Sequence, residues 1–248
     1  MASIFRSFWL HLHRLRDTKI VTLDGIRVHS SAHWAPQAVR NGLYKKTYED
    51  AERRLLLTDL RDGDRVLEIG AGIGVVGMLA ASVTGGGNVL SYEANPALEP
   101  VIKANHSLNA AVPDVRFKAI TTDGAPVQFH RAPNILSSSI HQRRQTEETI
   151  TVESDSLADA IAEFAPDVLV MDVEGAEIDL LDGAPLGGIR SIVLELHPHI
   201  VGEAAIEKLL AGLEADGFRT AEKDRKTVLL VNSAKRPGPS SNDQSIGR

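Results

Sequence analysis

A short apolar run that stops at three alternating glycines constrains the fold of this chain more than any other feature. Val66–Ile69 is followed by Gly70, Gly72 and Gly74, and the sequence then continues as a helical stretch over 75–81. A strand that turns at once into a helix through glycines lets the backbone approach a ligand, because no Cβ blocks the way. The start of such a helix also attracts an anionic group. The pattern predicts an α/β domain with a ligand at this turn.

From Arg65 onward, short apolar runs alternate with helical stretches, which is typical of the crossover units that build a parallel sheet. We predict strands near Arg65–Ile69, Asn88–Glu93, Val115–Ile120, Asp167–Asp172 and Ile189–Leu196. Phe218–Lys223 and Thr227–Asn232 are too close for a parallel crossover, so they should form an antiparallel hairpin. The predicted fold class is α/β and Rossmann-like, with a seven-strand, mainly parallel sheet, an antiparallel last strand and helices on both faces.

We expect three parts along the chain. Residues 1–47 hold an amphipathic helix over Ile4–Leu15 and a small hairpin, whose Asp24-Gly25 turn suits a tight two-residue loop. Residues 48–234 form the main domain. The tail 235–248 is rich in Pro, Ser, Gly and Asn and lacks a hydrophobic pattern, so we predict that it is disordered.

Within the main domain, a first helix is predicted over Tyr48–Leu60. An insertion over 121–156 separates the third and fourth strands of the predicted sheet. Its segments Gln128-Phe129 and Thr149–Val152 have the character of extra strands. The sequence gives no role for this insertion or for the N-terminal helix.

Composition restricts the class of partner. A formal net charge of -6 gives no general attraction to nucleic acid, so we expect a small-molecule partner. The chain has no cysteine, which excludes thiolate metal ligands and fits a reducing compartment. No apolar run near the N-terminus is long enough for a signal peptide or a membrane span, and we therefore expect a cytoplasmic protein. The helix over Ile4–Leu15 leaves open a homodimer contact or a peripheral membrane contact.

An acidic residue ends the second predicted strand. Glu93 lies at the distance from the glycines at which an acid accepts both ribose hydroxyls of an adenosine. Glu68 precedes the first glycine, and it can accept a hydrogen bond from a ligand ammonium, directly or through water. The spacing predicts a site for a nucleotide-type cofactor. The predicted cofactor-binding residues here are Glu68, Gly70, Ala71, Gly72, Gly74, Glu93, Ala94 and Asn95.

The main alternative at this site is an NAD(P)-binding Rossmann oxidoreductase. The stretch 72–77 matches the glycine pattern of dinucleotide-binding proteins. Against it, Glu68 precedes the first glycine and the glycines occupy alternate positions, and a closing antiparallel hairpin is characteristic of class I methyltransferases. We therefore favour S-adenosyl-L-methionine as the cofactor. A cofactor-binding module without catalysis is a further alternative.

A second motif follows the buried strand 166–171, which ends in acids. Ligands of open α/β sheets bind beyond the carboxyl ends of the strands, so Asp172 and Glu174 should point into the crevice. Asp172 would lie close to the cofactor's reacting group, and we therefore predict it as a further cofactor-binding residue. It is also our first candidate for a general base, with His197 the second. Glu195 and His197 are two residues apart and share one face of a strand, where a lone buried glutamate needs a partner or a ligand. An ion pair and a catalytic role are both open for this pair.

The same acids raise the question of a metal. Asp172, Glu174 and Glu195 offer the oxygen ligands that Mg²⁺ prefers. Buried carboxylates orient hydroxyl groups equally well, and we therefore expect no metal site.

Three stretches resemble the FkbM-type family of S-adenosylmethionine-dependent methyltransferases. They are 68–74 followed by Tyr92–Pro96, then Asp172–Glu177, and finally Val193–Pro198. The similarity spans roughly Tyr48 to Val231, and the Asp-Val-Glu-Gly-Ala-Glu block is its most diagnostic part.

The resemblance implies an enzyme whose methyltransferase domain is 48–234. Its cofactor would be S-adenosyl-L-methionine, with S-adenosyl-L-homocysteine as product, and Tyr48 would lie near it. The expected reaction is O-methylation of a hydroxyl on a small molecule, such as a sugar, a lipid or a secondary metabolite. The insertion departs from the family, so the resemblance does not extend to the identity of the acceptor.

Overall fold

A seven-strand sheet with helices on both faces forms the centre of the structure, a computed structural model that describes residues 10, 12–13, 15–131 and 148–235. The strands are β1 (Ile20–Leu23), β2 (Ile26–His29), β3 (Val66–Ile69), β4 (Val89–Tyr92), β5 (Asp114–Arg116), β6 (Ala119–Thr121), β7 (Val127–Arg131), β8 (Glu148–Val152), β9 (Ser154–Ser156), β10 (Val168–Met171), β11 (Ser191–Glu195), β12 (Phe218–Asp224) and β13 (Thr227–Asn232). The helices are α1 (Gln37–Lys45), α2 (Asp50–Asp59), α3 (Val75–Thr84), α4 (Glu99–His106), α5 (Leu157–Phe164), α6 (Glu177–Leu181), α7 (Pro198–Val201) and α8 (Glu203–Ala215). Short 3-10 turns lie at Gly86–Asn88, Pro96–Leu98, Leu186–Gly188 and Ser233–Lys235.

The order of the central sheet is β12-β13-β11-β10-β3-β4-β5. Neighbours from β11 to β5 pair in parallel, whereas β13 runs antiparallel to both of its neighbours. The predicted fold class is therefore confirmed. The order places the carboxyl ends of β4, β3, β10 and β11 side by side, and in such a sheet this edge is where ligands bind.

Side chains of the central strands alternate between two apolar layers. On β3, Leu67 and Ile69 belong to one buried cluster, and Val66 belongs to another. On β10, Leu169 and Val168 divide in the same way. Burial on both faces explains why these strands read as continuous apolar runs rather than as an alternating pattern.

The single strand predicted over Val115–Ile120 is wrong. The chain leaves the central sheet after β5, and β6 then pairs in parallel with β9. The Ala119 amide donates to the carbonyl of Glu153 at 2.8 Å, which continues this second pairing. The two halves of one apolar run thus have different partners, and the partner of the second half lies far along the chain.

The insertion contains the antiparallel pair β7 and β8, which confirms the extra strands expected near Gln128-Phe129 and Thr149–Val152. The predicted N-terminal hairpin is also confirmed as β1 and β2, with Asp24 at φ 46° and Gly25 at φ 90° in its turn. Helix α2 confirms the helix expected over Tyr48–Leu60.

The predicted helix over Ile4–Leu15 lies largely outside the described residues, although Leu10, 12–13 and Leu15 are helical. The predicted disordered tail also lies outside them, from residue 236 onward. Among the described residues, no helix combines the length and the apolarity that crossing a bilayer requires.

Two asparagines of the α4 region fix the N-terminal hairpin onto the main domain. Asn105 is fully buried, and its Oδ1 accepts from the amide of His29 at 2.8 Å while its Nδ2 donates to the carbonyl of Ile73 at 2.9 Å. Asn109 makes two hydrogen bonds with the backbone of Arg27, at 2.9 and 2.8 Å. The hairpin is thereby held beside the turn that follows β3.

Candidate active site

The glycine turn, residues 70–74, requires backbone conformations that favour glycine. Gly70, Gly72 and Gly74 have φ values of 93°, 58° and 85°. A Cβ on Gly70 would lie 2.0 Å from the carbonyl oxygen of Asp172, which leaves no room for any side chain. The turn therefore packs directly against the first residue after β10, and the two motifs found in the sequence meet here.

Backbone amides of the glycine turn are bonded to neighbouring protein groups. Those of Gly70 and Ala71 donate to the carbonyl of Tyr92 at 2.9 and 3.0 Å, and that of Gly72 donates to Oε2 of Glu93 at 2.8 Å. These bonds fasten the turn to the end of β4. From the sequence we expected backbone amides of this turn to point at a ligand. These three amides instead hold the ends of β3 and β4 together.

Glu93 is buried at the end of β4, with only 6% of its surface exposed. Its Oε2 accepts from Gly72, and its Oε1 accepts from the amide of Asn95 at 2.8 Å. Burial raises the pKa of Glu93 to about 7. Asn95 is itself buried and caps the following 3-10 turn by accepting from the amide of Ala97. Ala94, between Glu93 and Asn95, is partly buried. A carboxylate oxygen has more than one lone pair, so each oxygen of Glu93 can still accept from a ligand hydroxyl.

Glu68 lies on β3 beneath the start of α3 and is 2% exposed. Its carboxylate accepts from the Ser91 hydroxyl and from the amide of Gly77, and burial raises its pKa to about 7. A Cβ on Gly77 would lie 2.3 Å from Oε2 of Glu68, so the glycine makes room for the carboxyl. Glu68 thus joins the helix to the sheet, and its contact with a cofactor ammonium stays a prediction.

Tyr48 and Glu49 border the glycine turn from the other side. A Cβ on Gly72 would lie 3.2 Å from Oε1 of Glu49 and 3.3 Å from the Tyr48 hydroxyl. The two side chains are hydrogen-bonded to each other, and burial raises the pKa of both groups well above their usual values. Oε2 of Glu49 is buried without a hydrogen-bond partner among the described residues.

The three predicted catalytic residues come together beyond the ends of β10 and β11. These strands are parallel neighbours with Met171 opposite Leu194, so Asp172 and Glu195 follow side by side. The Nε2 atom of His197 lies 3.5 Å from Oδ1 of Asp172 and 3.8 Å from Oε1 of Glu195. We call Asp172, Glu174, Glu195 and His197 the acid cluster.

The carboxyls of Asp172 and Glu195 differ in electrostatic environment. Burial, together with the charges of Glu195 and Glu49, raises the pKa of Asp172 well above its usual value. Burial acts in the same direction on Glu195, but its ion pair with Lys226, together with the neighbouring His197 and Asp172, lowers the pKa of this carboxyl. When the pair holds one proton, that proton therefore resides on Asp172.

His197 is oriented by Glu177, which is fully buried at the start of α6. Oε1 of Glu177 accepts from the backbone amide of His197 at 3.1 Å and lies 3.3 Å from its ring Nδ1. Oε2 of Glu177 accepts from the amide of Gly175 at 2.7 Å. Although burial acts to raise it, the bond with His197 helps to lower the pKa of Glu177. An ionised Glu177 therefore fixes both the ring and the loop after β10.

Sequence reasoning missed two further charged residues at this edge. Glu52 is 8% exposed and accepts from the Thr227 hydroxyl, and its pKa is raised by burial and by the nearby Glu195. Glu49, three residues earlier, precedes α2 with a left-handed φ of 48°, so their spacing does not place the two on one helix face. Lys226 lies in the turn before β13, and nothing local in the sequence connects it with Glu195.

The acid cluster has the composition of a cation site. One ligand atom each from Asp172, Glu195 and His197 can be chosen so that all three lie within 4.8 Å of one another. Two carboxylates suit Mg²⁺ and Mn²⁺, and the added imidazole favours Mn²⁺ and other first-row divalent metals over Mg²⁺. The same groups can equally orient a hydroxyl and accept its proton.

The methyltransferase FkbM domain matches residues 68–220, which is more than half of the chain. This chain belongs to the FkbM methyltransferase family. The match contains the glycine turn, Glu93 and the acid cluster, and it confirms the family expected from the sequence. Tyr48, Glu49 and Lys226 lie outside the matched region.

Comparison with individual proteins gives more distant similarities. The hexuronic acid methyltransferase AglP of Haloferax volcanii is 24% identical over 150 residues, which are 58% of this chain and 60% of AglP. The chain thus matches less than two thirds of that relative. Among solved structures, it is similar to the precorrin-6y C5,15-methyltransferase of Geobacter metallireducens, with 16% identity, coverage of 72% and 85%, and a TM-score of 0.43. It is also similar to the magnesium protoporphyrin IX methyltransferase ChlM of Synechocystis with bound SAM, with 14% identity, coverage of 73% and 76%, and a TM-score of 0.41.

Proposed function

We propose that this chain is an S-adenosylmethionine-dependent methyltransferase that methylates a hydroxyl oxygen of a small molecule. The observation that carries the proposal is the close packing of Gly70 on Asp172, since it brings the glycine turn and the acid cluster together. Membership of the FkbM family supports the cofactor and the class of reaction.

The residues around the glycine turn fit this cofactor. Glu93 would accept the ribose hydroxyls, because each of its oxygens makes one protein hydrogen bond and keeps acceptor capacity. The glycine turn would lie against the methionine portion of the cofactor. Tyr48 and Glu49 border the same turn at Gly72. When bound, S-adenosylmethionine supplies an electrophilic methyl group on a positively charged sulfur.

The acid cluster would act on the acceptor. A hydroxyl oxygen that gains a methyl group must lose its proton, and a carboxylate within hydrogen-bond reach can take it. We assign this role to Asp172, since the environment that raises its pKa also makes its carboxylate a stronger base. Glu195 and His197 would orient the hydroxyl, and Glu177 positions the histidine.

The acceptor that we propose carries several hydroxyl groups, as a sugar does. The relative named as a hexuronic acid methyltransferase supports this class, at 24% identity. The carboxylates of the acid cluster would repel an anionic group and accept from neutral hydroxyls. We therefore expect the acceptor to present hydroxyls, rather than a carboxylate, to this side of the site.

Cofactor binding is tested by melting temperature and by calorimetry. S-adenosylhomocysteine should raise the melting temperature and NADH should not, because only a ligand of the native state stabilises it. Glu93→Ala should weaken S-adenosylhomocysteine binding by about 1 to 3 kcal/mol, the usual cost of unmatched buried polar groups. Glu163→Gln, at a carboxylate whose side chain is 60% exposed, is the matched control and should bind normally. Stabilisation by NADH alone would identify a dehydrogenase instead.

Catalysis is tested by methyl transfer from labelled S-adenosylmethionine to a panel of sugars, lipids and hydroxylated metabolites. Asp172→Asn should lower turnover by roughly 10² to 10⁴, the usual contribution of a general base, and should spare affinity for S-adenosylhomocysteine. An equal loss of both would make Asp172 a binding residue. Cofactor binding without transfer to any acceptor would favour a module without catalysis.

A further inference from the structure

The ring of His197 is held in a way that determines which nitrogen carries a hydrogen. Nδ1 lies 3.3 Å from Oε1 of Glu177, an oxygen that also accepts from the His197 backbone amide. A carboxylate can only accept, so Nδ1 is the donor in this contact. In the neutral ring, Nε2 then presents a lone pair away from Glu177. The same arrangement of histidine and buried carboxylate is common behind metal-binding histidines.

The lone pair at Nε2 faces oxygen atoms rather than donors. Asp172 Oδ1 lies 3.5 Å away, and oxygens of Glu174 and Glu195 each lie 3.8 Å away. These separations are too long for good hydrogen bonds. An octahedral Mg²⁺ or Mn²⁺ with bonds of about 2.1 Å keeps neighbouring ligand atoms about 3 Å apart and opposite ones about 4 Å apart. The observed separations of 3.5 and 3.8 Å lie between these two values, so the side chains must shift by a few tenths of an ångström to complete such a shell.

One of these oxygens is an independent sign of a missing partner. Oδ1 of Asp172 is buried and has no hydrogen-bond partner within the described parts of the chain. A buried polar atom without a partner costs free energy, which a bound ligand can recover. The atom is also the cluster oxygen nearest to Nε2 of His197.

The charge of the surroundings favours a cation. Lys226 is paired with Glu195, and its ammonium lies beside the acid cluster, whose own basic member is His197. Acidic side chains that act on the cluster or belong to it are Glu49, Glu52, Asp172, Glu174 and Glu195. One ammonium does not balance several ionised carboxylates, so this group of acids must either hold protons, in line with the raised pKa values of Asp172, Glu49 and Glu52, or bind a cation.

We infer that Asp172, Glu195 and His197 bind one divalent first-row metal ion such as Mn²⁺, with Glu174 placed to join them. This inference rests on the proposed function and deepens it, and it differs from the sequence-based expectation that the site binds no metal. A cation here would stabilise negative charge on the acceptor oxygen while the second oxygen of Asp172 takes the proton. Lys226 would compete with the cation for Glu195.

The test is binding of Mn²⁺ to the full chain after its treatment with a chelator and removal of the chelator. Binding is measured by the decrease of the free Mn²⁺ signal in electron paramagnetic resonance. We expect one Mn²⁺ per chain. Glu195→Gln and His197→Gln should each weaken binding at least tenfold, and Glu163→Gln should leave it unchanged. Circular dichroism and melting temperature establish that each variant is folded. Wild-type protein that binds no Mn²⁺, or variants that bind it equally well, would overturn the inference.

Two further variants separate a cation site from a structural cluster. Glu177→Gln should lower Mn²⁺ affinity by about 10- to 100-fold, the usual effect of removing the group that orients a metal-binding histidine. Lys226→Met should raise the affinity, because it removes the competing ammonium from Glu195. A purely structural role for Lys226 predicts no gain, and a gain is therefore decisive.

Failure of this inference is distinguishable from failure of the proposed function. Methyl transfer at full rate in chelator, with normal S-adenosylhomocysteine binding and no Mn²⁺ binding, would remove the cation and keep the methyltransferase. Mn²⁺ binding by a protein that S-adenosylhomocysteine does not stabilise would keep the cation site and remove the methyltransferase. If Asp172 and His197 share only a proton and no metal ion, methyl transfer should continue at full rate in chelator without Mn²⁺ binding.

Discussion

At the scale of single residues, the glycine turn is positioned by contacts of its backbone. Gly70 touches the carbonyl of Asp172, and Gly72 donates to Glu93, so the turn is fixed to the ends of β10 and β4, the strands on either side of β3. The carboxylates around it depend on burial for their unusual pKa values. Small changes at these positions should therefore affect the geometry of both halves of the site.

Gly70→Ala should be strongly destabilising. Its Cβ would lie 2.0 Å from a backbone oxygen at a φ of 93°, so that steric overlap adds to the cost of a left-handed conformation. Gly63→Ala is the control, because Gly63 has a φ of 77° but nothing within 4 Å of the added Cβ. We expect roughly 1 kcal/mol of destabilisation for the control from conformation alone and at least twice that for Gly70→Ala, by urea unfolding. Equal losses would contradict the steric explanation.

Sequence reasoning identified the residues of the site that follow a strand. Glu93, Asp172, Glu195 and His197 each lie at or just beyond a strand end, and the topology of a parallel sheet brings such positions together. Lys226 could not be predicted, because its pairing depends on the three-dimensional position of a surface turn.

At the scale of elements, the strands of the central sheet with a hydrogen-bonded neighbour on each side were predicted correctly from the sequence. β3, β10 and β11 are enclosed on both sides, and their continuous apolar runs identified them. The run that divides into β5 and β6 was misread, since the pairing of β6 with β9 is a contact between distant parts of the chain. Local periodicity does not record such a contact.

The docking of the N-terminal hairpin offers a prediction at this scale. Asn105→Ala should cost roughly 2 to 5 kcal/mol of unfolding free energy, because it leaves the His29 amide and the Ile73 carbonyl without their partner. Asn109→Ala should cost less, because the backbone of the exposed Arg27 can bond to water instead. Denaturant unfolding of the two variants measures this difference. A larger loss in Asn109→Ala would contradict the assignment of Asn105 as the main anchor.

At the scale of the whole molecule, buried carboxyls make stability depend on pH. Burial raises the pKa of Glu68 from 4.5 to about 7, so the native state binds this proton more tightly than the unfolded state does. Stability from this group is therefore fully present below pH 4.5 and falls as the pH rises to about 7, by up to about 3 kcal/mol. Glu93 acts in the same direction.

Glu68→Gln should make the stability of the protein less dependent on pH between about 5 and 7.5. Glutamine resembles the protonated carboxyl and does not ionise, so the contribution of Glu68 to the slope disappears while that of Glu93 stays. Urea unfolding of both proteins at pH 5 and pH 7.5 measures the difference. A slope as steep in Glu68→Gln as in the wild type would show that Glu68 is ionised throughout this range.

The reversed direction of β13 has a consequence for how the site can be adjusted. A strand that runs against its neighbours begins where they end, and the loop that leads into it therefore arrives at the ligand-binding rim. That loop carries Lys226, whose side chain is 53% exposed although it neutralises an inner carboxylate. A single substitution at this outer position can alter the charge experienced by the reacting groups and leave the packed interior untouched.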